Sequence, residues 1–319
     1  MKIVVAGATG VIGRRLVPVL VRAGHKVIGI TRTQSKIGGL REAGASPVVL
    51  DILDANAVIS VLCRIRPDVV VHEVTAIPAR MNVRRFDREF ALTNRLRTEG
   101  TDNLIRGAQA AGVRKFVAQS YAAWPYARVG GAIKSEDDPL DSHPPDSMRK
   151  TLQAILHLEA AVLAAGAMTG VVLRYGAFYG PGTPFDEGGL VLEELRRRRF
   201  PIVNGGGGVW SFIHVDDAAE ATLAAIERDV SGVYNVTDDE PAPVSEWLPT
   251  LASAIGAPAP RHVPKFLARL AIGEPGIVLM TEVRGASNAK AKKELSWRPR
   301  WSSWREGFFE EASRLALAS

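Results

Sequence analysis

The chain has 319 residues, 46% of them hydrophobic and 23% charged, which suits a globular protein of two lobes and excludes a disordered or fibrous chain. A net charge of +6 raises nucleic acid as a partner, but the basic runs Arg14–Arg15, Arg84–Arg85 and Arg196–Arg199 are short, scattered and free of interleaved aromatic residues, so no nucleic-acid partner is expected. The one cysteine, Cys63, forbids an intrachain disulfide, the longest apolar run, Ala160–Leu173, is broken by Gly166, Thr169 and Gly170, and a strand starting at Lys2 leaves no room for a leader, so the expectation is a cytoplasmic protein that does not enter the membrane.

The chain opens with an apolar strand, Lys2–Ala6, followed by three glycines spaced three apart, Gly7, Gly10 and Gly13, and by a helical pattern over Val11–Ala23. Gly7 permits the sharp turn, Gly10 lets the backbone approach a pyrophosphate, and Gly13 lets the helix pack on the strand. Thr9, Gly10, Val11 and Ile12 then surround an anion seated on the free N–H groups of the helix. Strand-like runs at Lys26–Thr31, Pro47–Leu50, Asp68–His72, Lys115–Gln119 and Gly170–Arg174 alternate with helical patterns at Asn56–Ile65, Asn94–Ala111 and Arg149–Ala165. Such alternation predicts a doubly wound parallel sheet with helices on both faces and a ligand at the C-terminal strand ends. Beyond Gly180 the alternation fades into Pro- and Gly-rich joints, which marks a smaller second lobe. The boundaries read as 1–175 plus about 209–236 for the dinucleotide domain, with 176–208 and 237–319 for the substrate lobe. The loop Tyr126–Ser147 is long enough to cover a site.

These segments together resemble the extended short-chain dehydrogenase/reductase superfamily, the NAD-dependent epimerase/dehydratase group. The resemblance rests on Gly7–Gly13, Gly100–Leu104, Gly112–Val117, Arg174 with Tyr179–Gly182, Phe212–Asp217, Tyr234–Val236 and Ala289–Pro299, and it covers nearly the full length. It implies an α/β Rossmann fold with a smaller C-terminal α/β lobe, a small-molecule substrate, no metal, and a homodimer paired through Asn94–Ala111 and Arg149–Ala165.

The cofactor preference is read from the end of the second strand, where an NAD enzyme places a carboxylate. Here stand Thr31 and Arg32, with Lys36 one turn on, and a guanidinium suits a 2′-phosphate, so NADP(H) is favoured over NAD(H). By resemblance Asp51 and Ile52 border the adenine, and Thr75 and Ala76 line the adjoining groove. The family's catalytic helix carries Tyr-x-x-x-Lys with a Glu four residues on. Anchored on Glu159, those positions hold Thr151 and Ile155, so the usual acid and its activator are missing. Ser120 closes the fifth strand and is expected to polarise a substrate oxygen, with Tyr121, Tyr126 or Tyr175 as the substitute phenol. Glu73, Tyr126, Arg174, Phe178, Phe185 and Trp210 are expected around the substrate. Trp210 stands where nucleotide-sugar enzymes of the family usually carry an arginine, which favours a partly apolar, non-sugar metabolite. Three readings follow: a reductase or dehydrogenase acting on a carbonyl or hydroxyl, a nucleotide-sugar epimerase or dehydratase, and a cofactor-binding protein without redox turnover.

Overall fold

The computed structural model describes residues 1–122 and 124–318, the side chains of 316–318 excepted. In chain order the elements of the first half are β1 (Lys2–Ala6), α1 (Gly13–Arg22), β2 (Lys26–Thr31), α2 (Ile37–Glu42), β3 (Ser46–Val49), α3 (Ala55–Ile65), β4 (Val69–His72), α4 (Phe86–Glu89), α5 (Ala91–Arg95), α6 (Thr101–Ala110), β5 (Lys115–Tyr121) and β6 (Ile133–Lys134). The second half adds α7 (Arg149–Leu163), β7 (Thr169–Tyr175), β8 (Ala177–Tyr179), α8 (Leu190–Arg196), β9 (Ile202–Val203), β10 (Val209–Trp210), β11 (Phe212–His214), α9 (Val215–Glu227), β12 (Gly232–Val236), β13 (Ala242–Pro243), α10 (Val244–Ala254), β14 (His262–Val263), α11 (Lys265–Thr281), β15 (Gly285–Ala286), α12 (Ala289–Glu294) and α13 (Trp304–Ala318).

Seven strands form one parallel sheet in the order β12-β7-β5-β4-β1-β2-β3. A parallel sheet buried on both faces needs strands that are apolar at every position, and Ile3, Val4, Val5 and Ala6 are all 0% exposed. Odd positions of β1 and β4 (Ile3, Val5, Val69, Val71) face α1 and α9, whereas the even ones (Val4, Ala6, Val70) face α3 and α6. The predicted strands agree with the observed ones to within two residues at each end. The helix predicted over Asn94–Ala111 is instead broken: α5 and α6 are joined by a π-helical turn, Leu96–Gly100.

A separate apolar core belongs to the smaller lobe. It gathers Ala177, Tyr179, Phe185, Leu192 and Phe212 with Trp247, Leu251, Trp304 and Phe308. Between them the chain passes back to the sheet, because α9 lies against α1 and β12 is an edge strand. It returns there once more through Ala291, Leu295 and Trp297. Asp217 on α9 accepts the backbone N–H groups of Arg300 (2.8 Å) and Trp301 (3.1 Å), which ties the chain's last stretch to the sheet's flank.

Candidate cofactor and substrate site

The glycine loop has the geometry that a close anion approach demands. Gly7 has φ +89°, and a Cβ there would lie 2.6 Å from the Glu73 backbone carbon, while one at Gly13 would lie 2.2 Å from the Gly7 carbonyl oxygen. Gly10 N–H donates to Gly7 O at 2.9 Å and closes the turn. The α1 N-terminus carries no side-chain cap, and among the described residues the backbone N–H groups of Val11 and Ile12 have no backbone acceptor. A dinucleotide pyrophosphate fits this cradle. Thr9 and Thr31 face one another, their hydroxyls 3.4 Å apart, with the Thr31 oxygen also accepting from Thr33 N–H. Arg32 and Lys36 stand exposed beyond them, Asp51 is exposed and accepts from Leu53 N–H, and Ile52 is buried against the α6 helix start, where Asn103 donates to its carbonyl. Thr75 and Ala76 are half-buried, with Ala76 N–H held by the Thr93 hydroxyl at 3.0 Å.

At the end of β5 the polar side chains join an interior network. Ser120 is 1% exposed and its hydroxyl donates to Glu159 at 2.6 Å. Glu159 in turn takes both faces of the Arg174 guanidinium, Nε at 2.8 Å and Nη2 at 2.6 Å, and Arg174 Nη1 donates to the Tyr126 hydroxyl. Burial alone would lower the Arg174 guanidinium, but the bidentate carboxylate outweighs it and holds the group above its ordinary value. Tyr126 is 0% exposed and donates to Asn235. Ser120, Arg174 and Tyr126 are thus members of one interior network that pins β5, β7 and α7 together.

Tyr175 and Glu73 are likewise buried and meet each other. The Tyr175 hydroxyl lies 2.6 Å from Thr222 and 3.3 Å from Glu73, with Tyr175 0% and Glu73 4% exposed, on the α1 and α9 side of the sheet. Burial pushes the Glu73 carboxyl up to about 8, and its second oxygen has no partner among the described residues. Phe178 packs against Tyr175 with ring centres 5.3 Å apart, and Phe185 is 8% exposed in the smaller core, stacked on Phe308.

Tyr121 and Trp210 are only partly buried and share one apolar surface. Tyr121 is half-buried at the last residue of β5, and burial pushes its phenol up to about 12 against the pull of the Arg97 charge. Trp210 is half-buried with its indole N–H on Leu279 O at 2.8 Å. Both pack on an apolar wall made of Phe86, Phe90, Trp124, Leu152 and Ile155. The two degenerate positions sit in or behind this wall. Ile155 is 1% exposed within it, and the Thr151 hydroxyl is spent on Asp87 at 2.7 Å, where that carboxylate also caps the start of α7. Lys150 is exposed at the same helix start.

Two features escaped sequence reasoning. The aromatic wall draws on residues of α4, α7 and the stretch after β5 that are far apart in the chain. Arg97, in the π-helical turn, is 5% exposed and bonded to nothing among the described residues; burial pulls its guanidinium down to about 10.

Comparison with known proteins agrees with this architecture. The model of the NAD dependent epimerase/dehydratase family matches residues 3–237. A Streptomyces protein named 3-diazoavenalumate denitrifying reductase is 43% identical over 98% of this chain and 100% of its own length. Among solved structures, the Thermotoga maritima UDP-glucose 4-epimerase with UDP-glucose superposes with a TM-score of 0.77 at 23% identity, covering 100% of this chain and 99% of that one. A human epimerase family protein with NADPH gives 0.75 at 20% identity, covering 98% and 99%. No helix among the described residues is long and apolar enough to cross a membrane.

Proposed function

The chain belongs to the NAD dependent epimerase/dehydratase family, and from that premise we propose that this NAD(P)-dependent oxidoreductase reduces an aromatic diazo acid, replacing the diazo group by hydrogen with release of dinitrogen. The glycine loop, Thr31–Arg32, Asp51–Ile52 and Thr75–Ala76 would hold the dinucleotide, which when bound supplies a hydride. In the net reaction the hydride pair forms the new C–H bond and the C–N pair leaves with dinitrogen. No proton is taken from the protein.

The observation that carries this reading is the apolar replacement of the usual acid and its activator. Thr151 is committed to Asp87 and Ile155 is part of a hydrophobic wall, so those two positions offer no phenol and no ammonium to the cleft. Reduction of a carbonyl needs a proton on oxygen, whereas removal of a diazo group by hydride does not. The wall of Phe86, Phe90 and Trp124 with Trp210 and Tyr121 suits a flat ring. The 43% identical relative, named for a diazo compound, supports the same substrate class.

One observation favours a second reading: Tyr121 is half-exposed at the strand end within the field of Arg97, the placement of a proton donor for a carbonyl oxygen. Tyr121→Phe separates the two. With an aryl diazo acid and NADPH, its rate of NADPH loss is expected to stay within about tenfold of wild type. A fall of about 10²–10⁴-fold, the range for losing a positioned acid, would overturn the proton-free reading.

The exposed Arg32, with no carboxylate at the end of β2, supports NADP(H) as the preferred cofactor. Pairing of two copies through α5–α6 and α7 is part of the same reading, supported by Leu156 and Leu163, 45% and 48% exposed on α7. The unpaired Cys63 suits the reduced cytoplasm.

A further inference from the structure

Among the described residues Arg97 is a cation without a counter-ion. It sits in the π-helical turn Leu96–Gly100, a backbone irregularity that recurs at functional sites. The residue is 5% exposed, yet among the described residues it makes no hydrogen bond or ion pair, and none of its three guanidinium nitrogens is sealed from solvent. Its polar tip therefore opens on a space while its stem is buried. The groups whose charges reach it are Tyr121 at the end of β5, Glu159 on α7 and His72 at the end of β4, which places that space at the C-terminal ends of the two central strands. Glu159 makes no hydrogen bond or ion pair to it among the described residues, its carboxylate being held by Arg174 and Ser120. His72 is no partner either: burial pushes its imidazole down to about 4, and its ring nitrogens meet Thr101 and Val74 N–H.

A desolvated guanidinium with no anion is costly, and it would repel a cationic diazonium in the same cleft. A substrate that brings its own anion removes both difficulties. We propose that Arg97 receives the carboxylate of the substrate, with the Tyr121 hydroxyl beside it, so that the site selects aromatic acids over their neutral analogues. This rests on the reductase reading for the identity of the substrate, but its test does not depend on turnover. Arg97 acts by binding and is given no part in the hydride transfer.

The test uses the full chain saturated with NADP⁺ and two commercial ligands of one shape, trans-cinnamate and trans-cinnamamide, titrated by calorimetry. Wild type should bind the acid about 10- to 100-fold more tightly than the amide, the range expected when a hydrogen-bonded charge partner is lost. Arg97→Gln should bring the two affinities together, and Arg97→Lys should restore part of the difference. The melting temperature of ligand-free Arg97→Gln should equal or exceed that of wild type, because a charge without a partner has been removed; a cation with a structural role would lower it. Equal binding of acid and amide by wild type, or binding of neither, overturns the proposal without any variant having to fold. So does an Arg97→Gln protein that keeps the preference, or one that loses NADP⁺ affinity with the preference unchanged, which would assign the guanidinium to the cofactor. Failure of the reductase reading would look different, as no NADPH consumption with any aryl diazo acid while the preference for cinnamate stands.

Discussion

Replacing Arg174 by leucine breaks the interior pair that ties β7 to α7 beneath the end of β5. Glu159 would keep the Ser120 hydroxyl but lose two charge-assisted bonds of 2.8 and 2.6 Å, at a residue only 5% exposed. Each such bond contributes about 1.5–3 kcal/mol, and stranding one member of a buried ion pair costs about 3–5 kcal/mol, so both routes converge near 4 kcal/mol. For 319 residues the unfolding entropy is about 0.7 kcal/mol/K, which turns that loss into a fall in Tm of about 6 °C. The stranded carboxylate escapes part of the cost by taking up a proton in the folded state, so the deficit should be larger at alkaline than at acid pH. Scanning calorimetry of wild type, Arg174→Leu and the double variant Arg174→Leu/Glu159→Leu checks this. The double variant, with an apolar pair in place of the ions, should recover at least half of the loss. An Arg174→Leu protein melting within about 1 °C of wild type would refute the assignment of this network as the clamp on the strand end.

Glu73 is expected to shape the pH dependence of stability. Its folded-state value of about 8 lies above the ordinary 4.5, so the folded protein holds a proton that the unfolded chain has released; stability is greatest below 4.5, declines as pH rises to 8, and stays lower above it. The span corresponds to on the order of 5 kcal/mol, and Glu73→Gln should flatten that decline in urea titrations between pH 5 and 9; an unchanged slope would assign it to other groups. Arg32→Asp should weaken NADPH by about 10- to 100-fold while leaving NADH nearly unchanged, read by fluorescence titration. Equal losses for both cofactors would place Arg32 away from the 2′-phosphate.

The sheet was legible because a parallel strand buried on both faces leaves a continuous apolar run, and six such runs stand between turn signals. The glycine loop was legible because Gly7 and Gly13 are required by backbone contacts under 3 Å, which no other residue satisfies. The gap at Thr151 and Ile155 was also plain in the helix sequence. What the sequence hid is pairing across distance. Ser120, Tyr126, Arg174 and Tyr175 all stand near strand ends, and nothing local to them distinguishes a rim position facing ligand from one turned inward to Glu159 or Thr222. Periodicity likewise ran unbroken through Asn94–Ala111, since a π-helical turn inserts only one residue into the spiral. Nothing local to Arg97 sets it apart in the sequence from the other arginines.

The route of the chain between its two cores bears on how the molecule is made and how it can be recombined. The outer strand β12 is synthesised after β8 to β11, and Ala291 to Trp297 reach the sheet later still. A ribosome must release most of the smaller lobe before the larger one can close. For the same reason, exchanging the substrate lobe with that of a relative requires several junctions. The first falls at Gly176, where an added Cβ would lie 2.7 Å from the Ser211 carbonyl oxygen, so a graft there tolerates only glycine.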